Sequence, residues 1–252
     1  MGRLSSTATV TVMTSASDDH QLDGIDIRVL HEREDLVAAS AVLQQVWGST
    51  TPLVAAELLR AIEHSGGYVA GAYDHGRMVG ASFGWLARHL GHSALHSHVT
   101  GILPGLRHSG IGRAIKQHQR AWAAERGIEW ITWTFDPLVR ANAWFNITVL
   151  GAHVAAYLEN FYGEMTDSLN ANDESDRLVA AWPVQSSPVP PSTGRHIEIP
   201  TPDDIVNLRR VDPSEAQRWR HEVRIALEGA LAEGGRITSF TREGSYIVEF
   251  PT

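Results

Sequence analysis

The feature that most narrows what this chain can fold into is a hexapeptide, Arg107-His108-Ser109-Gly110-Ile111-Gly112. It stands between a strand-like run ending at Leu103 and a helical run from Ile111 to Arg126. Two glycines let the main chain turn tightly, and the amide N–H groups that follow can converge on a phosphate at the positive end of a helix. The loop lacks the Gly-Lys-Ser/Thr ending of the Walker loop and the third glycine of the dinucleotide fingerprint, so neither of those nucleotide sites is implied. An ordinary strand-to-helix turn can carry the same residues. The pattern around the loop has to discriminate.

That pattern is mixed. Ile25–Leu30 alternates like a strand. Leu36, Val37, Ala41, Val42 and Val46 then recur at helical spacing in a helix starting near Glu32. A second helix is predicted from about Leu53 to His64, with Pro52 where a first-turn proline is tolerated and Gly66-Gly67 where it stops. Three antiparallel strands follow, Tyr68–Tyr73, Met78–Trp85 and Ala94–Leu103. After the Ile111–Arg126 helix come a strand Ile128–Phe135, a helix Val139–Leu150 closed by Gly151, and strands Ala152–Leu158 and Leu178–Val184. Antiparallel strands followed by strand–helix–strand crossovers predict an α/β fold around a central sheet of mixed direction, flanked by helices.

The main body is thus expected over residues 25–184, after a Ser-, Thr- and Asp-rich lead, 1–24, that reads as disordered. Ser186-Ser187-Pro188-Val189-Pro190-Pro191-Ser192 marks a stiff linker over 185–193. Beyond it, a small C-terminal α+β extension (194–252) combines a strand His196–Ile199, a helix Pro213–Ala232, and strands Arg236–Thr241 and Tyr246–Phe250. At that size it is expected to pack on the body or on a partner subunit.

Composition excludes several roles. Among 252 residues, 29 acidic against 21 basic side chains give a net charge of −8, which offers no global attraction for nucleic acid or anionic lipid. With no cysteine there are no disulfides, thiolate nucleophiles or Cys-ligated metals. The 13 histidines show no trusted metal-ligand pair on a helix, so no metal is expected. No apolar run is long enough for a membrane span or a signal peptide, so a cytoplasmic protein is expected. Twenty of the basic residues are Arg and only Lys116 is Lys, which reads as composition bias.

The loop with its upstream Ile102-Leu103-Pro104 resembles motif A of the GNAT acetyltransferases, and the element order is the GNAT order. A dispersed set resembles, more narrowly, a prokaryotic GNAT subfamily of predicted acetyltransferases. It comprises His96-Ser97-His98, Gly110-Ile111-Gly112, Lys116, Trp133-Thr134-Phe135-Asp136-Pro137-Leu138, Asn142-Ala143, Asn146, Leu150-Gly151, Asn160-Phe161-Tyr162-Gly163 and Ser175-Asp176-Arg177. The resemblance covers about Ile25 to Val184. It implies a GNAT fold whose fourth and fifth strands splay, with acyl-CoA (acetyl-CoA or succinyl-CoA) as co-substrate. Gly101, Ile102 and Leu103 would bond the pantetheine arm. The amides of His108, Ser109, Gly110, Ile111 and Gly112 would hold the pyrophosphate, with Arg107, Arg113 and Asn142 completing the cofactor set.

Acyl transfer needs a proton acceptor for the amine, donors for the oxyanion and an acid for the thiolate. His96 and His98 share one strand face, and His96 falls where several GNAT enzymes carry a Glu base; a hydrogen-bonded structural pair is the competing reading. The Tyr that many members use as acid is replaced by Ile147, which leaves Tyr157 and Tyr162 as substitutes. Asp136 is either a site carboxylate or a helix cap. In the long polar segment from Glu159 to Arg177, Asn160, Asp167, Asp176 and Arg177 would border the acceptor pocket, Arg177 for a carboxylate and the aspartates for an ammonium.

Together these residues lead to an acyl-CoA-dependent N-acyltransferase. It would act by direct transfer to a small-molecule amine such as an amino acid, without a covalent cysteine intermediate. The alternatives are a non-catalytic acyl-CoA-binding sensor or assembly module and a general protein acetyltransferase. A homodimer is among the assemblies the sequence allows.

Overall fold

The computed structural model describes residues 24–106, 109–163, 173–185 and 194–250. The predicted lead, the Pro-rich linker, Arg107, His108 and Asp167 therefore lie outside the described residues, apart from the linker's first residue and Gly24.

Strand β1 (Ile25–Val29) is followed by helices α1 (Arg33–Trp47) and α2 (Ala56–His64), then by β2 (Tyr68–Asp74), β3 (Arg77–His89) and β4 (His92–Ile102). Helix α3 (Ile111–Glu125) leads to β5 (Trp130–Phe135), a single α-turn α4 (Arg140–Ala143) with a π-helical stretch Trp144–Val149, and strands β6 (His153–Leu158) and β7 (Arg177–Pro183). These seven strands form one sheet in the order β1-β2-β3-β4-β5-β7-β6. All neighbours are antiparallel except β4 and β5.

Two expectations change here. Helix α2 starts at Ala56, so Pro52 lies ahead of the helix rather than in its first turn. The helix expected over Val139–Leu150 widens into π geometry at Trp144, where the buried Asn146 accepts a hydrogen bond from Trp133 Nε1 at 3.1 Å.

The parallel pairing of β4 with β5 is short: Ala94, Leu95 and His96 meet Trp130, Ile131 and Thr132. Beyond His96, β4 continues to Ile102 with β3 as its neighbour, so the two strands part into a V. In the β3–β4 register Phe83 faces Val99 and Gly84 faces Ser97, which leaves His98 as the extra residue of a β-bulge. The bulge brings His96 O within 2.4 Å of where a Cβ on Gly84 would lie, so only glycine fits there.

Helices α1 and α2 cover one face of β2–β4 with a core of Leu36, Leu43, Leu59, Val69 and Phe83. The other face receives α3, and its core runs without interruption from Leu95, Trp133 and Phe135 into Val223, Leu227, Phe240 and Tyr246 of the C-terminal extension. The extension is a three-stranded sheet, β8 (His196–Pro200), β10 (Ser245–Glu249) and β9 (Arg236–Phe240), backed by α5 (Ile205–Val211) and α6 (Pro213–Ala232). Asp212 caps α6 through Glu215 N, with Pro213 in its first turn. Tyr246 donates to Pro137 O at 2.7 Å and Thr148 to Phe240 O at 3.0 Å, so the extension is packed on the body of this same chain. Among the described residues no helix is long and apolar enough to cross a membrane.

Candidate active site

The V between β4 and β5 is the concavity this topology creates. On its β4 arm, Gly101 is buried, and a Cβ there would come within 2.7 Å of the Trp47 ring; the missing side chain lets α1 close on the strand. At the mouth, Gly110 opens α3 with φ 86°, a conformation that favours glycine. Gly112 lets the helix approach β4, since its Cβ would meet Ile102 at 3.2 Å. Ser109 Oγ donates to Leu106 O, and the N-cap Gly110 makes no side-chain cap bond. With no acidic residue in its first turn, α3 turns the positive end of its dipole to the mouth. Arg113 and Asn142 are exposed, on α3 and α4 respectively.

At the vertex, His96 Nδ1 stands 3.4 Å from Thr132 Oγ1. The His96 and His98 rings lie 5.8 Å apart and both pack on Trp85, at 5.2 and 4.7 Å. Burial, followed by His98 and Lys116, lowers the His96 pKa to about 4, so the imidazole is neutral near pH 7. Thr134, two residues along β5 on the same face, is 3.0 Å from the Tyr162 hydroxyl. His96, His98 and Tyr162 are thus gathered on the sheet face that carries α1 and α2.

Tyr157 does not join them. It sits on β6, two strands from β5, and donates to Asp176 Oδ2 at 2.5 Å; burial and that carboxylate raise its pKa. As a candidate acid it is corrected to a half-buried tyrosine tied to Asp176, away from the V.

Asp176, expected beside the acceptor, is corrected too, and of the two readings of Asp136 the cap is the one its bond from Leu138 N supports; both carboxylates are buried in ion pairs with the extension. Asp136 bonds Leu138 N at 2.9 Å, Arg209 at 2.5 Å and Arg220 at 3.2 Å. Asp176 pairs with Arg224 at 2.7 Å. Asn160 has its amide oxygen on Ser175 N, and its own N–H donates to Asp176 Oδ1, so it staples the ends of the 159–176 segment. Arg177 opens β7, buried, with its guanidinium 5.3 Å from the Tyr162 ring and a 2.8 Å bond to Asp176 O.

Sequence reasoning missed the three extension arginines, although Arg220 and Arg224 at i, i+4 mark one helix face. Lys116, expected on the surface of α3 or at an adenosine phosphate, is instead buried below the vertex, with Nζ 2.8 Å from Ser97 Oγ and 4.0 Å from the centre of the Trp133 ring. Among the described residues no cluster of His, Asp or Glu could hold a metal ion.

A splayed mixed sheet with a glycine-opened helix at the mouth of the V defines the class, and solved structures agree. The ribosomal-protein-S18-alanine N-acetyltransferase from Escherichia coli superposes with a TM-score of 0.51 at 19% identity, over 65% of this chain and 96% of that one. An acetyltransferase of the GNAT family from Streptococcus pneumoniae gives 0.51 at 14% identity, over 64% and 99%. Aminoglycoside 6'-acetyltransferase type Ii gives 0.51 at 17%, over 65% and 99%. No protein-family profile matches the chain, and no curated protein does. The chain has the GNAT acetyltransferase fold. Within that class it carries a C-terminal α+β extension whose arginines reach into the body.

Proposed function

We propose that the protein is an acyl-CoA-dependent N-acyltransferase that passes an acetyl or other short acyl group directly to the amine of a small molecule, an amino acid being the favoured class. In this reading residues 25–184 form the transferase body, 194–252 are an extension of it, and the protein works in the cytoplasm. The observation that carries it is the V that opens at His96 and Thr132, with the glycine-opened N-terminus of α3 at its mouth. Three glycines shape this mouth: a Cβ at 101 would meet the Trp47 ring at 2.7 Å, one at 112 would crowd Ile102 at 3.2 Å, and at 110 the backbone is left-handed.

Acyl-CoA supplies the activated thioester. Main-chain groups of Gly101, Ile102 and Leu103 would hold its arm, and the Ser109–Gly112 amides its pyrophosphate, aided by Arg107, His108, Arg113 and Asn142. His96 would take the proton of the attacking amine, as a neutral imidazole close to Thr132. His98 packs beside it, and Tyr162, bonded to Thr134 on the same face, would return a proton to the leaving thiolate. Arg177 and Asp167 remain proposed acceptor contacts.

Titration calorimetry with acetyl-CoA and succinyl-CoA tests the cofactor; no heat at millimolar ligand overturns the proposal. His96→Ala should lower turnover at least tenfold while acyl-CoA still binds.

One observation favours a second reading, a module that binds acyl-CoA without chemistry. Ile147, where many family members carry their acid, is buried in the core. Thiol release over a panel of amines separates the two, since sustained release requires an enzyme.

A further inference from the structure

Lys116 is a buried cation, 4% exposed. Its amine donates to Ser97 Oγ at 2.8 Å and Gln119 Oε1 at 3.3 Å and lies over the Trp133 ring. All three partners are neutral, and among the described residues no carboxylate pairs with it. A buried ammonium without a counter-ion is strained towards its neutral form. Burial accordingly brings its pKa down to about 7.

A second observation fits that form. Gln119 is fully buried and its amide nitrogen has no partner. A charged Lys116 needs the Gln119 oxygen as acceptor. A neutral one carries a lone pair, and a flipped Gln119 amide would donate to it, so the orphan finds its acceptor when the lysine loses its proton. Lys116 and Gln119 thus form a pair with one arrangement for each charge state.

The pair touches the site through a single strand. Ser97, bonded to Lys116, follows His96 directly, and the two side chains point to opposite faces of β4. The groups facing His96 are His98 from its own strand, Trp85 from β3 and Thr132 from β5, with Tyr162 further along that face. On the α3 side, His118 is engaged by the Tyr68 hydroxyl at 2.9 Å. Of these, His98 and Lys116 are the charges that His96 feels.

We propose that Lys116 is a positioning residue for His96: seated behind Ser97 across β4, its buried charge adds to the burial and the His98 contact that already disfavour an imidazolium, and so helps hold His96 ready as the base. The inference rests on the reading of His96 as proton acceptor. Below neutrality, where an exposed histidine would become protonated, Lys116 carries the charge instead. Above it Lys116 is neutral and His96 is already free.

The chain's single lysine makes the test direct. Protein labelled with ε-13C-lysine, expressed without lysine-bearing tags, gives one side-chain resonance, expected to titrate near pH 7; a midpoint near 10 overturns the proposal. In wild type and Lys116→Met, the His96 imidazole signal, assigned by its loss in His96→Gln, is followed against pH. Its midpoint should rise measurably when the charge is removed, while staying below that of an exposed histidine because burial and His98 remain, and should stay low in Lys116→Arg. An unmoved midpoint in a folded Lys116→Met protein sinks the coupling. The acid limb of kcat/KM should move with the midpoint. If His96 titration shifts and the limb does not, Lys116 is no positioning residue for catalysis, and the base assignment fails with it, while acyl-CoA binding stands on its own calorimetry.

Discussion

Asp136→Asn is the substitution that most directly tests how the extension is held. Asp136 follows β5 and is enclosed; its two oxygens accept from Arg209, Arg220 and Leu138 N. Asp173 accepts from the same two guanidiniums, at 2.7 Å each. Burial alone would raise the Asp136 pKa, yet Arg220 and Arg209 outweigh it and bring the carboxyl from 3.8 down to about 2. A depression of roughly two units, at about 1.4 kcal/mol each, corresponds to about 2–3 kcal/mol of stability. The folded value is the lower one, so this contribution is fully present above pH 4 and is lost as pH falls through about 2. The Asn variant loses it at every pH and also turns an NH2 group or a neutral oxygen towards two guanidiniums that Asp173 must then balance. Breaking one partner of a buried pair costs about 3–5 kcal/mol. At about 2–4 °C per kcal/mol for a chain of this size, the melting temperature at pH 7 should fall by roughly 6–20 °C. Calorimetric melts between pH 2 and 7 should also show a flatter acid limb in the variant. A melting temperature within 2 °C of wild type at pH 7 would refute the argument, because the ion pairs would then be carrying no net stability.

Two further substitutions separate the acceptor side from the cofactor side. Arg224 joins α6 to Glu159, Glu174 and Asp176, at the two ends of the 159–176 segment that includes Tyr162. Arg224→Met should raise the acceptor KM about tenfold or more with acyl-CoA affinity little changed, and Arg224→Lys should recover part of it; equal losses on both sides would disprove the separation. Gly101→Ala places a methyl 2.7 Å from the Trp47 ring and 3.1 Å from Leu43. It should cost about 1–3 kcal/mol in a chemical denaturation series, and an unchanged midpoint would show that α1 yields freely.

The order of elements was legible because helix and strand periods are local properties. Helix α6 was found at both ends, since Asp212-Pro213 marks its start and the apolar pattern runs to Ala232. Helix α5 was missed: seven residues, Ile205–Val211, are too few to show a period. Strands β3 and β4 run on as a hairpin to His89 and from His92, beyond the alternation that marks their inner parts. The phosphate-cradle candidate at Ser109–Gly112 was legible for the same local reason. The partners of Asp136 and Asp176 were not, because they stand 73, 84 and 48 residues away. Lys116 reads as surface on a helical wheel and becomes interior only through the register that sets Ser97 beneath it.

The charge pattern of the extension shows what kind of attachment it is. A net charge of −8 puts no premium on burying carboxylates, yet Asp136, Asp173 and Asp176 are all enclosed, and each meets an arginine from α5 or α6. Those helices both enclose the three carboxylates and supply their cations, so burial and charge pairing form together when the extension packs. Apolar packing adds to this, since Leu227, Phe240 and Tyr246 belong to the same core as Trp133 and Phe135. Gly244 makes the fit specific: a Cβ there would fall 2.1 Å from Arg140 Nε, in the contact that seats Thr201 and Asp203 against α4. The arginines therefore act where the body alone is incomplete, at the end of β5 and at both ends of the 159–176 segment. Through Arg224 the extension thus grips both ends of the segment from which Tyr162 reaches Thr134.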